Sequence, residues 1–157
     1  MLATELTPEE CAIEVMETVP FVMRFLRAEM RRQRSTDLSV PQFRALGFLS
    51  RYPGASLSDL AEHLGITKAT ASATVDRLVR RGLIDRIDDP QERRRLTLTL
   101  TDEGNLQLQQ ARVAAHASVS EVLENLSQAK LLQITKGLVL LGEAFKEFEV
   151  KPKESTD

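Results

Sequence analysis

Residues 57–101 read LSDLAEHLGITKATASATVDRLVRRGLIDRIDDPQERRRLTLTLT. Two helix-length segments, Asp59–Leu64 and Thr67–Arg81, are separated only by Gly65 and Ile66. Ser58 begins the first and Gly65 stops it; Thr67 caps the second and Gly82 stops it, because glycine alone accepts the left-handed backbone that ends helices cheaply. After Gly82, Leu83–Ile87 reads as a short strand. A turn-rich charged stretch, Asp88–Arg94, leads into Leu96-Thr97-Leu98-Thr99-Leu100, whose strict alternation is that of a half-buried strand. The segment is thus helix, tight turn, helix, strand, long turn, strand.

Two helices at that spacing form a helix-turn-helix, whose second helix can lie in the major groove of DNA. Projected at about 100° per residue, Ala71, Val75, Leu78 and Val79 of the second helix fall on one side and are expected to be buried. Ala69, Thr70, Ala73, Arg77 and Arg80 fall on the other. That outer face is small and uncharged in its first half except for Lys68. Small side chains allow close approach: Ala69 and Ala73 suit thymine methyls, while Thr70, Ser72, Lys68 and Arg77 can reach base edges or phosphates. The N–H groups opened at Thr67 suit a phosphate. Arg93 and Arg94, near the tip of the strand–turn–strand, suit the narrow, negative minor groove beside it.

The charge is arranged accordingly. The whole chain of 157 residues carries 21 basic and 23 acidic side chains, net −2, a total that looks unfriendly to nucleic acid. Residues 67–95 alone hold eight basic and five acidic residues, whereas 1–37 and 96–157 are net acidic. Only the contacting face must complement phosphate.

Outward from this centre the sequence is helical. Thr7-Pro8-Glu9-Glu10 is a capping box with proline at the first helical position, opening a helix to about Arg34, with a kink or break expected near Thr18–Val19 because Pro20 lies inside it. Ser39-Val40-Pro41-Gln42 opens another, to about Ser50, which the Pro53-Gly54 turn ends. Thr101 caps a fifth helix to about Glu124, and Ser127 a sixth to about Glu149. The first and last helices are apolar along one side (Val15, Val19, Val22 and Leu26; Leu138, Leu141, Phe145 and Phe148), as expected of surfaces that pair two subunits.

Other chemistry is poorly supported. Cys11 is the single cysteine, which excludes an internal disulfide framework and leaves a sulfenic acid without a resolving thiol in the subunit. His63 and His116 have no ligand neighbour at helical spacing, so no metal is expected. No phosphate loop, nucleophile elbow or paired-carboxylate pattern marks an enzyme, and no cofactor is implied. No apolar run approaches a bilayer span, and the start of the chain lacks a signal-peptide pattern, so the expected location is cytoplasmic, with no membrane partner.

The ordered set Leu60–Ile66, Thr67–Ser72 with Val75 and Leu78, Arg81–Arg86, Asp89–Arg94 and Leu98–Gly104 resembles the MarR-type winged-helix transcriptional regulators. Single pieces are common to many winged helices; their order, flanked by terminal helices, is specific. The resemblance implies a mostly α fold with a small β-wing: six helices and a two- to three-stranded antiparallel hairpin, dimeric. Residues 7–37 and 101–149 would form the dimerisation region and 38–100 the winged DNA-binding domain. It implies a repressor that binds a pseudo-palindromic operator as a homodimer, with Arg94 as the wing-tip residue, and a small apolar or phenolic effector whose binding releases DNA. The family commonly has aspartate where this chain has Glu92. The rival readings are a regulator without a ligand and a winged-helix module for protein–protein assembly.

Overall fold

The computed structural model describes residues 5–33, 37–88, 96–149 and 151–152. Local chemistry sets most of its helix starts. Helix α1 (Pro8–Arg32) begins at Thr7, whose hydroxyl accepts from the Glu10 N–H while the Glu10 carboxylate accepts from the Thr7 N–H. Ser39 and Gln42 make the same reciprocal cap at the start of α2 (Val40–Arg51). Both boxes stand where the sequence puts them.

Helix α1 does not have the break that Pro20 suggests. It runs unbroken through Pro20. Proline removes the N–H that would reach the Met16 carbonyl. Met16 and Pro20 lie on the exposed side of a helix with no buried residue, where solvent can satisfy that carbonyl.

After α2, Gly54 turns the chain at φ +82° into a two-residue strand, β1 (Ala55–Ser56). Helix α3 (Leu57–Leu64) then starts two residues earlier than expected. Its cap is Ser56, not Ser58, with Asp59 completing the box. Ser56 has Asp59 three residues on to return the bond, whereas Ser58 has only Ala61 there. Pairing of Ala55 with Leu98 and Ser56 with Thr97 holds the chain extended up to that cap.

Gly65 (φ +67°) ends α3, and Thr67 caps α4 (Lys68–Arg80). Strands β2 (Ile84–Asp88) and β3 (Leu96–Leu100) pair antiparallel, from Ile84 opposite Leu100 to Asp88 opposite Leu96. The three-stranded sheet has the order β1-β3-β2, leaving β2 on an edge. Strand β2 lies one residue later than the sequence suggests, because the Leu83 N–H donates back to the Leu78 carbonyl at the end of α4. Helices α5 (Asp102–Leu123) and α6 (Gln128–Phe145) follow, capped by Thr101 and Ser127 as expected; α6 ends earlier than expected, in a 3-10 turn, Lys146–Phe148.

One core unites these elements: Leu46 and Leu49 of α2, Leu60 of α3, Val75 and Leu78 of α4, Leu83, Ile84, Leu98, and Leu108 of α5. By contrast neither α1 nor α6 contains a buried residue. Phe21, Leu138, Leu140, Phe145 and Phe148 are each more than half exposed.

Candidate nucleic-acid interface

Helix α4 separates its two faces as its periodicity requires. Ala71, Val75 and Leu78 are buried, and Val79 is half-buried. Thr67, Lys68, Ala69, Thr70, Ala73 and Arg77 are all exposed, together on the opposite side, with Ser72 half-buried at the flank. The Thr67 hydroxyl accepts from the Thr70 N–H at 3.2 Å and lies 2.9 Å from the Thr70 hydroxyl. Thr70 is therefore partly committed to the cap. The first N–H groups of the helix, at Lys68 and Ala69, precede any intrahelical partner and face outward from its end. The result is a small, nearly flat outer surface with open N–H donors at one end and Arg77 and Arg80 at the other.

Two arginines that the sequence reading passed over hold this helix in place. Arg81, just past its last turn, donates to the Asp37 carbonyl at 2.8 Å and to Gln42 and Gln107 side chains at 3.4 Å each. It thereby ties the end of α4 to the start of α2 and to α5. Arg86 on β2 forms an ion pair with Asp76 on α4, joining the edge strand to the helix. An exposed pair of this kind adds little stability, so its effect is orientation. Neither contact has a local signal, because the partners of Arg81 lie 26–44 residues away. Arg93 and Arg94 fall outside the described residues.

Behind α4, the last turn of α3 carries His63. Its ring stacks on Phe48 at 4.4 Å between centroids and 23° between planes, and Arg44 donates to its carbonyl. Burial, then the nearby Arg44 guanidinium, hold the His63 pKa below its ordinary value near 6.5, with Arg51 acting in the same direction and Glu149 opposing them. A histidine whose folded pKa is depressed contributes stability above its unfolded pKa and loses it as pH falls. The denaturation midpoint should therefore drop between about pH 7 and about pH 5. His63→Phe, which keeps the stack, should flatten that drop; an equal slope in the variant assigns the acid sensitivity elsewhere.

An apolar groove of about 440 Å³ lies between α1 and α5, lined by Phe21, Val22, Phe25, Val119, Val122 and Leu123, with Arg24. Its size is that of sites for small organic ligands. Closer to the winged unit, the buried Ser118 hydroxyl accepts from Gln33 at 3.0 Å and lies 3.4 Å from the Glu29 carboxylate, linking the same two helices by polar contacts.

Comparison with known proteins agrees with this architecture. Residues 36–95 match the model of the MarR family. The HTH-type transcriptional repressor YetL of Bacillus subtilis is 30% identical over 95 residues, covering 60% of this chain and 55% of YetL, so the chain spans about half the length of that relative. The crystal structure of RV1404 from Mycobacterium tuberculosis matches with a TM-score of 0.73 at 25% identity, over 89% of this chain and 95% of that one. The PcaV transcriptional regulator from Streptomyces coelicolor, in complex with its natural ligand, matches with a TM-score of 0.55 at 26% identity, over 92% and 96% of the two chains. YetL and PcaV are transcriptional regulators, in keeping with the reading of the sequence as no enzyme. Residues 36–95 thus match the MarR family, and the six helices and three-stranded wing sheet of the described residues have the fold of the solved structures it resembles.

Proposed function

We propose that the protein represses transcription by occupying a pseudo-palindromic operator as a homodimer. The observation that carries this reading is the outer face of α4: small at Ala69 and Ala73, cationic at Lys68 and Arg77, and otherwise without a partner among the described residues. In this reading Thr67, Lys68, Ala69, Thr70, Ser72, Ala73 and Arg77 read one half-site, and Arg93 and Arg94 reach the adjoining minor groove. Residues 38–100 are the DNA-binding unit, and 7–37 with 101–149 build the dimer. The exposed apolar sides of α1 and α6 support that division. Two recognition helices would then lie about 34–36 Å apart, one turn of DNA.

Fluorescence anisotropy on genomic fragments tests the proposal. Binding should be tight on one site and fall steeply with salt, as phosphate neutralisation requires. The net charge of −2 should keep binding to unrelated DNA weak. Equal, weak binding to all sequences would instead favour a protein-assembly module. Arg94→Ala should lower operator affinity about tenfold, within the ~1–3 kcal/mol of a good groove contact. Unchanged affinity would remove the wing from the interface.

The 440 Å³ groove favours a further element of the same reading, a small apolar or phenolic effector. Such a ligand releases DNA only if it binds the two conformations with different affinity. A thermal-shift screen should find compounds that raise the melting temperature and weaken operator binding together. A screen that finds none would favour a regulator controlled by its own abundance.

A further inference from the structure

Beyond the 3-10 turn that ends α6, Glu149 brings the chain back to the winged unit. Glu149 accepts from Arg51 on both carboxylate oxygens, at 2.6 Å and 3.4 Å, and from the Tyr52 hydroxyl at 3.3 Å. Its side chain is 22% exposed, while that of Arg51 is 64% exposed. The contact bridges 97 and 98 residues of sequence. Two arginine nitrogens on one carboxylate fix angle as well as distance, which a single contact would not do.

The receiving residues are built into the reading head. Arg51 ends α2 and Tyr52 caps it, immediately before the turn into β1. The Arg51 guanidinium also lies over the Tyr52 ring, 5.6 Å from its centroid. The Tyr52 ring packs at 5.1 Å on Phe48, and Phe48 stacks on His63. His63 stands in the last turn of α3, directly before Gly65 and the cap of α4. A continuous path of packed side chains thus runs from the end of α6 to the turn that aims α4. Helix α6 has no buried residue of its own to seat it on this unit.

From this we infer that Glu149, Arg51 and Tyr52 form a clasp that sets the position of α6 on the winged unit, and through it the placement of the recognition helix. They are positioning residues, and their effect on operator binding rests on the DNA-binding reading above. The pair is too exposed to matter much for stability. Its removal should therefore change geometry before it changes melting.

The experiment is a spin-label distance measurement within one chain, between Glu62→Cys on α3 and Glu143→Cys on α6. Both sites are exposed, Cys11 is replaced by serine, and labelled chains are diluted with unlabelled protein. The clasped protein should give one narrow distance distribution. Glu149→Ala should broaden it and shift it to longer distance, with the melting temperature unchanged. Glu149→Gln should broaden it less, and the swap Arg51→Glu with Glu149→Arg should narrow it again. In the same variants operator affinity should fall about fivefold for Glu149→Ala, the lower end of coupling between sites, and recover in the swap. A distance distribution that ignores Glu149→Ala overturns the clasp, as does an unchanged affinity in a protein that binds its operator. If the intact protein binds no operator, the DNA-binding reading fails while the distance measurement still judges the clasp.

Discussion

Gly104→Ala is expected to destabilise the protein by about 3 kcal/mol, the upper end of the range for an overfilled interior. The magnitude follows from what the new methyl group would meet. A Cβ on Gly104 would lie 2.0 Å from the Leu83 carbonyl oxygen and 2.9 Å from its carbon. Both are main-chain atoms of a residue with no exposed surface, so no rotamer change can relieve the clash. The surroundings are also fastened. The Thr101 N–H donates to that same Leu83 carbonyl at 3.1 Å, the Thr101 hydroxyl donates to the Gly82 carbonyl at 2.6 Å, and the Gly104 N–H donates to the Thr101 hydroxyl at 3.0 Å. Admitting a methyl group means prising the first turn of α5 from the end of α4. For a chain of this size the loss corresponds to about 6–12 °C in melting temperature. Because Leu83 follows α4 directly, operator affinity should fall with it. Gly137→Ala is the control: nothing lies within 4 Å of its Cβ, and the gain in helix propensity should leave stability level or up to about 1 kcal/mol higher. A melting temperature for Gly104→Ala within 2 °C of the parent would show that the two backbones part easily.

The same contact illustrates what a sequence can and cannot disclose. Five of the six helix caps, at Thr7, Ser39, Thr67, Thr101 and Ser127, are legible because a cap is a contract between residues three apart. So is the buried face of α4, because helical periodicity alone puts Ala71, Val75 and Leu78 together. The sixth cap is legible on the same ground, since Asp59 lies three residues after Ser56 and only Ala61 lies three after Ser58; the expectation of Ser58 overlooks that local pair. Pro20 does not break α1. The rule that proline breaks helices presumes that the orphaned carbonyl has no other partner, and an exposed helix supplies solvent. The grip of Arg81 on Asp37, the Arg86–Asp76 pair and the seat of Glu149 on Arg51 have no local spacing at all. They are consequences of the finished fold. The two faces of α4 are legible in the sequence, while the contacts that hold the helix in place are not.

Ala73→Asp should abolish tight operator binding while leaving the fold intact. Ala73 lies near the middle of the outer face of α4, one turn beyond Ala69 and one turn before Arg77. In the proposed complex this is where the helix comes nearest to the base edges, and a methyl group is what the gap accommodates. A carboxylate there adds bulk and sets a negative charge among phosphates, and like charges forced together in an interface cost several kcal/mol. The operator dissociation constant should rise by about 100-fold or more, the equivalent of roughly 3 kcal/mol or more for the dimer. The unbound protein has little reason to change. Ala73 is exposed and touches none of the core that Val75 and Leu78 enter, and an aspartate within a helix costs only about 0.5 kcal/mol in propensity. Its melting temperature and circular dichroism should match the parent, separating this variant from Gly104→Ala, in which binding and folding fail together. Ala73→Ser, which stays small and uncharged, should remain within a few-fold of the parent in affinity. Should Ala73→Asp bind the operator within about threefold of the parent, the outer face of α4 would not be the surface that meets DNA, and the assignment of all seven α4 contact residues would fall with it.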